Sequence, residues 1–267
     1  MFKQIQLNHE KVDAEDVNKL QNGSNLIERF ILDYLDDHVM SDGVGPTSIK
    51  IANLVMESLK WRKDFGINHI HDSDLPVEFY RSKLFEVTER ADGALLVIMN
   101  VANLKRLKQW GGLWTRFIVH EMQKLTESVF LNDVGFERKP HVIADSSNIG
   151  FAHMDLSFIL TIVPIFLKHF PQGFDTIWLY GLPLFSRHMR GLVLRSLPAR
   201  IAKKIKFTDK YTIADDMGAE NVPIRYGGTC GHSLSELSSP RASTLREVGR
   251  KNAISDSEIG KMVSEMN

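Results

Sequence analysis

The sequence predicts an α/β fold, a small N-terminal helical bundle followed by a mainly parallel β-sheet floor covered by helices. Two observations predict it. Over residues 12–66 the apolar positions recur at helical spacing. From about residue 92 the pattern becomes short, continuous apolar runs alternating with helical stretches, the grammar of parallel strands joined by crossover helices.

In the first part, Leu26, Ile27, Phe30, Ile31, Tyr34 and Leu35 form one helical stripe, and Ile51, Leu54, Val55, Ser58 and Leu59 form another. Between them MSDGVGPTS carries turn chemistry, with Thr47 or Ser48 as the N-cap of the second helix. The polar stretch HIHDSDLP closes the bundle.

In the second part, ALLVIMN (94–100) and HVIAD (141–145) read as strands buried on both faces. TIWLYGLP (176–183) is a third strand and IKF (205–207) a short fourth. Helices are expected over 114–130 and 154–170, the latter striped by Leu156, Ile159, Leu160, Val163, Leu167 and Phe170. Pro164 is expected to kink it by deleting a backbone donor. SELSSPRAS reads as a linker, and Ser255 to Met266 as a short helix with Ile259, Met262 and Val263 on one side.

Composition excludes several classes. Lys+Arg and Asp+Glu balance at 33 each, so the whole chain carries no electrostatic case for nucleic acid, and any basic patch is local. Cys230 is the one cysteine, which rules out an intramolecular disulfide or a Cys-rich metal site and fits a reducing compartment. No stretch reaches the ~20 apolar residues of a membrane span, and the N-terminus lacks a signal-type apolar core, so a cytosolic protein is expected. There is no GxxxxGK[ST] loop, no GxGxxG after a strand, no GxSxG elbow and no HExxH, and no nucleophile–base pair stands out for a phosphatase or other small-molecule enzyme. No catalytic residue, metal ligand or cofactor is expected.

Three constellations remain. His69, His71, Asp72 and Asp74 suit a divalent cation by donor type, but a solvated connecting loop explains them as well, and that is the reading adopted. Asp145-Ser146-Ser147 ends a strand where α/β proteins place functional groups; turn capping is the reading adopted. The third is an apolar and basic segment, in which Leu182, Phe185, Met189, Leu192 and Val193 are followed by a run of bases opposed by Asp209 alone. On periodicity, a solvated helix face and a face touching an anionic bilayer stand level.

Several stretches, in order, resemble the Sec14-like CRAL-TRIO family. LIERFILDYLDDH and ESLKWRKDFGIN resemble its N-terminal helical region, and VIADSSNIGFAHMDLSFI its strand ending in aspartate before a long helix. FPQGFDTIWLYGLPLF resembles its Pro turn, strand and exit into a gate helix, and ENVPIRYGGT its closing motif. Together they cover roughly residues 12–229. DAEDVNKLQN and WRKDFGINHIHDSDLP are most similar to the motile sperm domain-containing family, which joins this domain to an MSP domain and a membrane anchor. Neither is seen in this chain, so tethering is not carried over.

The resemblance implies a helical region over 12–78, a lipid-binding domain with a mobile gate helix over 79–230, and a linker with a short helix over 231–267. It implies one hydrophobic lipid, phospholipid or other, held without catalysis and presented or transferred at cytosolic membrane surfaces. The expected location is cytoplasmic, peripheral at the endoplasmic reticulum or other cytosolic faces. Leu96, Ile98, Ile143, Ile177, Leu179 and Tyr180 would lie on the pocket strands, and which alternate set faces the ligand stays open. Phe185, Met189, Leu192 and Val193 map to the gate helix. Arg195, Arg200, Lys203, Lys204, Lys206 and Lys210 become a docking edge for an anionic membrane.

Departures narrow the ligand. Gln172 stands where phosphatidylinositol-binding members carry glutamate, Pro140 stands where they carry serine, and Lys210 aligns only loosely with their lysine. Phosphatidylinositol transfer is therefore not implied. The alternative reading is a degenerate module that recruits proteins or membranes without transferring lipid.

Overall fold

Strands of the second half pair into a six-stranded sheet of order β5-β4-β3-β2-β1-β6. β1 is Phe85–Glu89, β2 Leu95–Asn100, β3 His141–Asp145, β4 Ile177–Tyr180, β5 Ile205–Thr208 and β6 Ser235–Glu236. The computed structural model describes residues 11–21, 25–38, 48–105, 108–131, 139–147, 156–181, 190–191, 194–195, 199–232, 235–236 and 241–266. β2 through β5 run parallel, and β1 is antiparallel to both β2 and β6. The mainly parallel sheet is as the sequence predicts. β1 and β6 are additions, and β1 enters β2 by a hairpin turned at Gly93 (φ 79°), where Arg90 N donates to Ala94 O.

The helices are α1 (Ala14–Gln21), α2 (Leu26–His38), α3 (Ser48–Phe65), α4 (Val77–Arg81), α5 (Gly111–Leu131) and α6 (Leu156–His169), followed by α7 (Ala199–Lys204), α8 (Ile213–Met217), α9 (Leu245–Lys251) and α10 (Asp256–Met266). α6 continues past Pro164 without a break. Of the two expected N-cap residues, Ser48 is the first residue of α3 itself, and Thr47 lies outside the described residues.

The chain divides into two units, each made of several segments. One takes residues 1–70, 118–136 and 159–173; the other takes 71–117, 137–158 and 174–267.

In the helical unit, Phe30 and Tyr34 of α2 meet Ile51, Val55 and Leu59 of α3, with Val12 and Leu20 completing the core. Leu54, expected on the same stripe, is exposed. A second cluster joins Trp61, Ile67, Val119, Ile165 and Phe170. Arg62 and Asp16 are buried together, with Nε and Nη2 of the guanidinium 2.9 Å from the two carboxylate oxygens.

In the sheet unit, successive residues of each strand alternate between faces, and cross-strand partners share a face. The register Thr88–Leu96–His141 and Glu86–Ile98–Ile143–Trp178–Lys206 therefore defines one side. That side is sealed by the chain itself, because Leu96, Ile98, Ile143 and Trp178 pack with Ile213, Met217, Val222 and Tyr226 from the segment beyond β5. The other side carries Phe85 and Val97, then Met99, Val142, Ile177, Leu179, Ile205 and Phe207. Phe85 and Val97 are buried, and the ring of Phe85 lies 6.3 Å from that of Phe117 on α5. The remaining six are half-buried.

Residues 241–266 belong to this unit's core. Ser243 pairs with the 75–77 backbone, Leu245 N donates to Glu78, and Val248, Ile259 and Met262 are buried. Gly249 packs so closely on Ile259 and Trp110 that a Cβ there would lie 2.8 and 3.0 Å from them.

Candidate functional site

The apolar side of β2 through β5 is the candidate site. Its floor is set by cross-strand rungs. Val97, Val142, Ile177 and Ile205 form one, and Met99, Ala144, Leu179 and Phe207 form the next. Arg190 lies over it, with its guanidinium carbon 5.0 Å from the Phe207 ring centre. The exit from β4 is steered by Gly181, whose φ of 72° is the left-handed region that glycine tolerates. A Cβ at Gly181 would stand 2.7 Å from the Ser147 side chain and 2.8 Å from its Cα, so the strand end packs directly on the turn after β3.

The six sequence-predicted pocket residues do not share a side. Ile177 and Leu179 lie on the floor just described. Leu96, Ile98, Ile143 and Tyr180 lie on the sealed side with Trp178. Of the expected gate residues, Phe185, Met189, Leu192 and Val193 fall outside the described residues. Sequence reasoning also passed over Val97, Met99, Val142, Ile205 and Phe207, because strands apolar on both faces carry no local signal for the side that stays open.

The basic residues fall into two groups. Lys203, Lys204 and Lys206 gather at the start of β5. Lys203 and Lys206 are exposed, with Lys206 Nζ 4.7 Å over the Trp178 ring. Lys204 is half-buried and donates to the Phe174 carbonyl at 3.2 Å. Lys210 lies past the other end of β5, beside the exposed Tyr211. Arg195 is exposed, and the side chain of Arg200 lies outside the described residues.

The sealed side closes on a polar network. Tyr226 donates to Asp145 Oδ2 at 2.8 Å, and Arg225 forks onto both oxygens of Glu86 at 3.0 and 2.6 Å. Burial acts to raise the Glu86 carboxyl, but hydrogen bonds from Arg225 and Asn100 overcome it and hold the group below its ordinary value. Burial and the Asp145 charge together push the Tyr226 hydroxyl far up. Asp145 Oδ1 accepts from Ser147 N and Oγ at 2.9 and 2.6 Å, so this strand-end carboxylate is committed to capping its own turn and to Tyr226. Such an arrangement anchors backbone; it frees no base for chemistry.

The other tempting cluster is also taken up locally. His69 Nε2 pairs with Asp13 at 2.9 Å, while the Asp74 carboxylate accepts from His71 N and pairs with Lys251 at 2.6 Å. Asp72 accepts from Tyr80.

In the helical unit, Gln172 is buried with its amide nitrogens 3.3 and 3.4 Å from Asp33 Oδ1. A glutamate there would set two carboxylates against each other, so the glutamine matches its surroundings. An open groove of about 450 Å³ follows α3, lined by Asn53, Met56, Glu57, Lys60, Trp61 and Asp64. Its acids and base alternate, so it has no consistent charge.

Comparison with known proteins agrees with this architecture. The CRAL/TRIO domain model matches residues 90–228, just over half of the chain. Among solved structures, the crystal structure of Sfh5 superposes with a TM-score of 0.52 at 15% identity, covering 72% of this chain and 70% of that one. Among the described residues no helix is long and apolar enough to cross a membrane. By its helix-covered, mainly parallel sheet and the family match across it, the chain belongs to the CRAL/TRIO domain family, whose members bind hydrophobic lipid ligands.

Proposed function

We propose that this protein holds a single lipid against the half-buried floor of β2 to β5 and presents or transfers it at cytosolic membrane surfaces, without catalysis. The observation that carries the reading is the difference between the two sides of the sheet. One is filled by the chain's own Ile213, Met217, Val222 and Tyr226. The other leaves Met99, Val142, Ile177, Leu179, Ile205 and Phe207 incompletely covered. An acyl chain laid there gains about 0.8 kcal/mol per buried CH₂, enough over a whole tail to draw a monomer from a bilayer.

In this reading the segment from Phe185 to Val193 is the gate, and Lys203 and Lys206 with Arg195 meet the anionic surface. Kinship with motile sperm domain-containing protein 2, and with it an endoplasmic reticulum setting, belongs to the same proposal. Native mass spectrometry of protein purified from cells, with extraction of what it carries, is expected to find one lipid per chain. A protein that carries none and takes none from liposomes sinks the reading.

A second reading, a recruitment module that transfers nothing, draws on Gln172 and its engagement with Asp33 in place of the family's headgroup glutamate. It predicts membrane or protein binding with no lipid extracted.

A further inference from the structure

Arg190 is the one described cation set over the apolar floor. Its guanidinium carbon is 5.0 Å from the centre of the Phe207 ring, and Phe207 shares its rung with Leu179, Ala144 and Met99. The Nε atom is shut off from solvent and has no hydrogen-bond acceptor. Among the described residues no carboxylate pairs with the group. Elsewhere in the chain Arg62 holds Asp16, Arg90 holds Asp92 and the exposed Arg225 holds Glu86, while Arg116 shares with Arg190 an Nε shut off without an acceptor.

A guanidinium cannot shed its charge by losing a proton in a protein, so burial without an anion is costly. The Phe207 ring beneath it offsets part of that cost. What the ring does not supply is an acceptor. The planar donors of arginine match the paired oxygens of a carboxylate or phosphate, and few other groups satisfy them together. Apolar walls with a few well-aimed polar groups are also the general composition of a ligand site, where the polar group sets orientation and specificity. Arg195, whose guanidinium approaches Gly191, adds positive charge along the same segment and no acid.

We propose that Arg190 receives the anionic end of an acidic lipid, a carboxylate or phosphate whose oxygens accept from the guanidinium while the tail lies along Leu179, Met99 and Ile177. This rests on the floor being the lipid site, and it narrows the ligand from any hydrophobic molecule to one with an acid group next to its chain. Selectivity would then come from this one cation.

The test uses the full chain and four probes: oleate, oleoyl-lysophosphatidate, methyl oleate and inorganic phosphate, titrated by displacement of a fluorescent acyl reporter and by calorimetry. Oleate or oleoyl-lysophosphatidate is expected to bind about tenfold or more tighter than methyl oleate, the scale of a charged hydrogen bond left unmade. Arg190→Gln is expected to erase that preference while methyl oleate binding is kept, and Arg190→Lys to retain part of it. The preference of the unaltered chain stands as evidence even if a variant folds poorly. Equal binding of oleate and methyl oleate, or a preference unchanged in Arg190→Gln, overturns the assignment and leaves the lipid site intact. Inorganic phosphate binding as tightly as the acidic lipids overturns it too, by making this an anion site without a tail. Failure of all three lipids overturns the lipid reading itself.

Discussion

Arg62 belongs to the Trp-Arg-Lys stretch through which the sequence resembles its family, and the structure gives that arginine a purely architectural task. It joins both Asp16 oxygens, Gln123 and Asn68, so nearly every donor of a buried fork is used. Such completeness is the condition under which a buried ion pair offsets its desolvation. Its neighbour Trp61 stacks on His169 with ring centres 4.0 Å apart and planes 3° from parallel. Burial, with Lys168 and Arg62 nearby, drives the His169 imidazole from its ordinary 6.5 down to about 4. Between those values the unfolded chain takes up a proton that the folded chain refuses, so stability falls as pH drops through that window and is restored above it. Urea titrations from pH 7 to pH 4 are expected to show this slope, and His169→Gln to flatten it. An unchanged slope in the variant would remove His169 as its source. Nothing in the sequence pointed to this histidine, because its environment comes from a helix about 110 positions away.

At the scale of elements, what was legible followed from local pattern. The continuous apolar runs of β2 and β3 and the spacing in α2 and α3 are properties of adjacent residues, and each lies where the pattern puts it. β1 was passed over although Phe85, Glu86, Val87 and Thr88 alternate apolar with polar; its polar set is buried too, and Glu86 is tolerable inside because Arg225 meets it from 139 positions away. α9 hid inside a polar stretch although it has a capping box, with Thr244 and Glu247 exchanging hydrogen bonds. Gly181 follows β4, the strand whose Ile177 and Leu179 form part of the floor, and it packs on the turn after β3. Gly181→Ala combines a left-handed backbone with a collision against Ser147, whose Cα cannot move without shifting β3's exit. A loss of about 1–3 kcal/mol in denaturant stability is expected. Wild-type stability in this variant would mean that the turn is not held as described.

For the whole molecule, 33 basic and 33 acidic residues leave no net charge, so any pull toward a membrane has to come from local clustering. Lys203 and Lys206 are exposed at the start of β5, and each basic residue near an anionic leaflet contributes about 1 kcal/mol. The double reversal Lys203→Glu and Lys206→Glu is expected to lower co-sedimentation with phosphatidylserine-containing liposomes, most clearly in low salt where screening is weak. Binding that stays the same under those conditions excludes this edge as the docking surface. Lys204 is a poorer choice for the test, since it also holds the Phe174 carbonyl and its loss would mix folding with docking.

By itself the sequence determined the α/β class, the order of the main strands and the family, because each is written in local periodicity and in motifs that survive without their partners. Only the tertiary structure decided which side of the sheet is free. In a parallel strand both faces are apolar, so Leu96 and Val97 are indistinguishable until something packs on one of them. The segment from Ile213 to Tyr226 makes that choice by sealing the Leu96 and Ile98 side. The same packing moves the candidate site to Ile177, Leu179 and Phe207 and sets Arg190 above it. Contacts between residues far apart in the chain made both choices, and no local pattern encodes them.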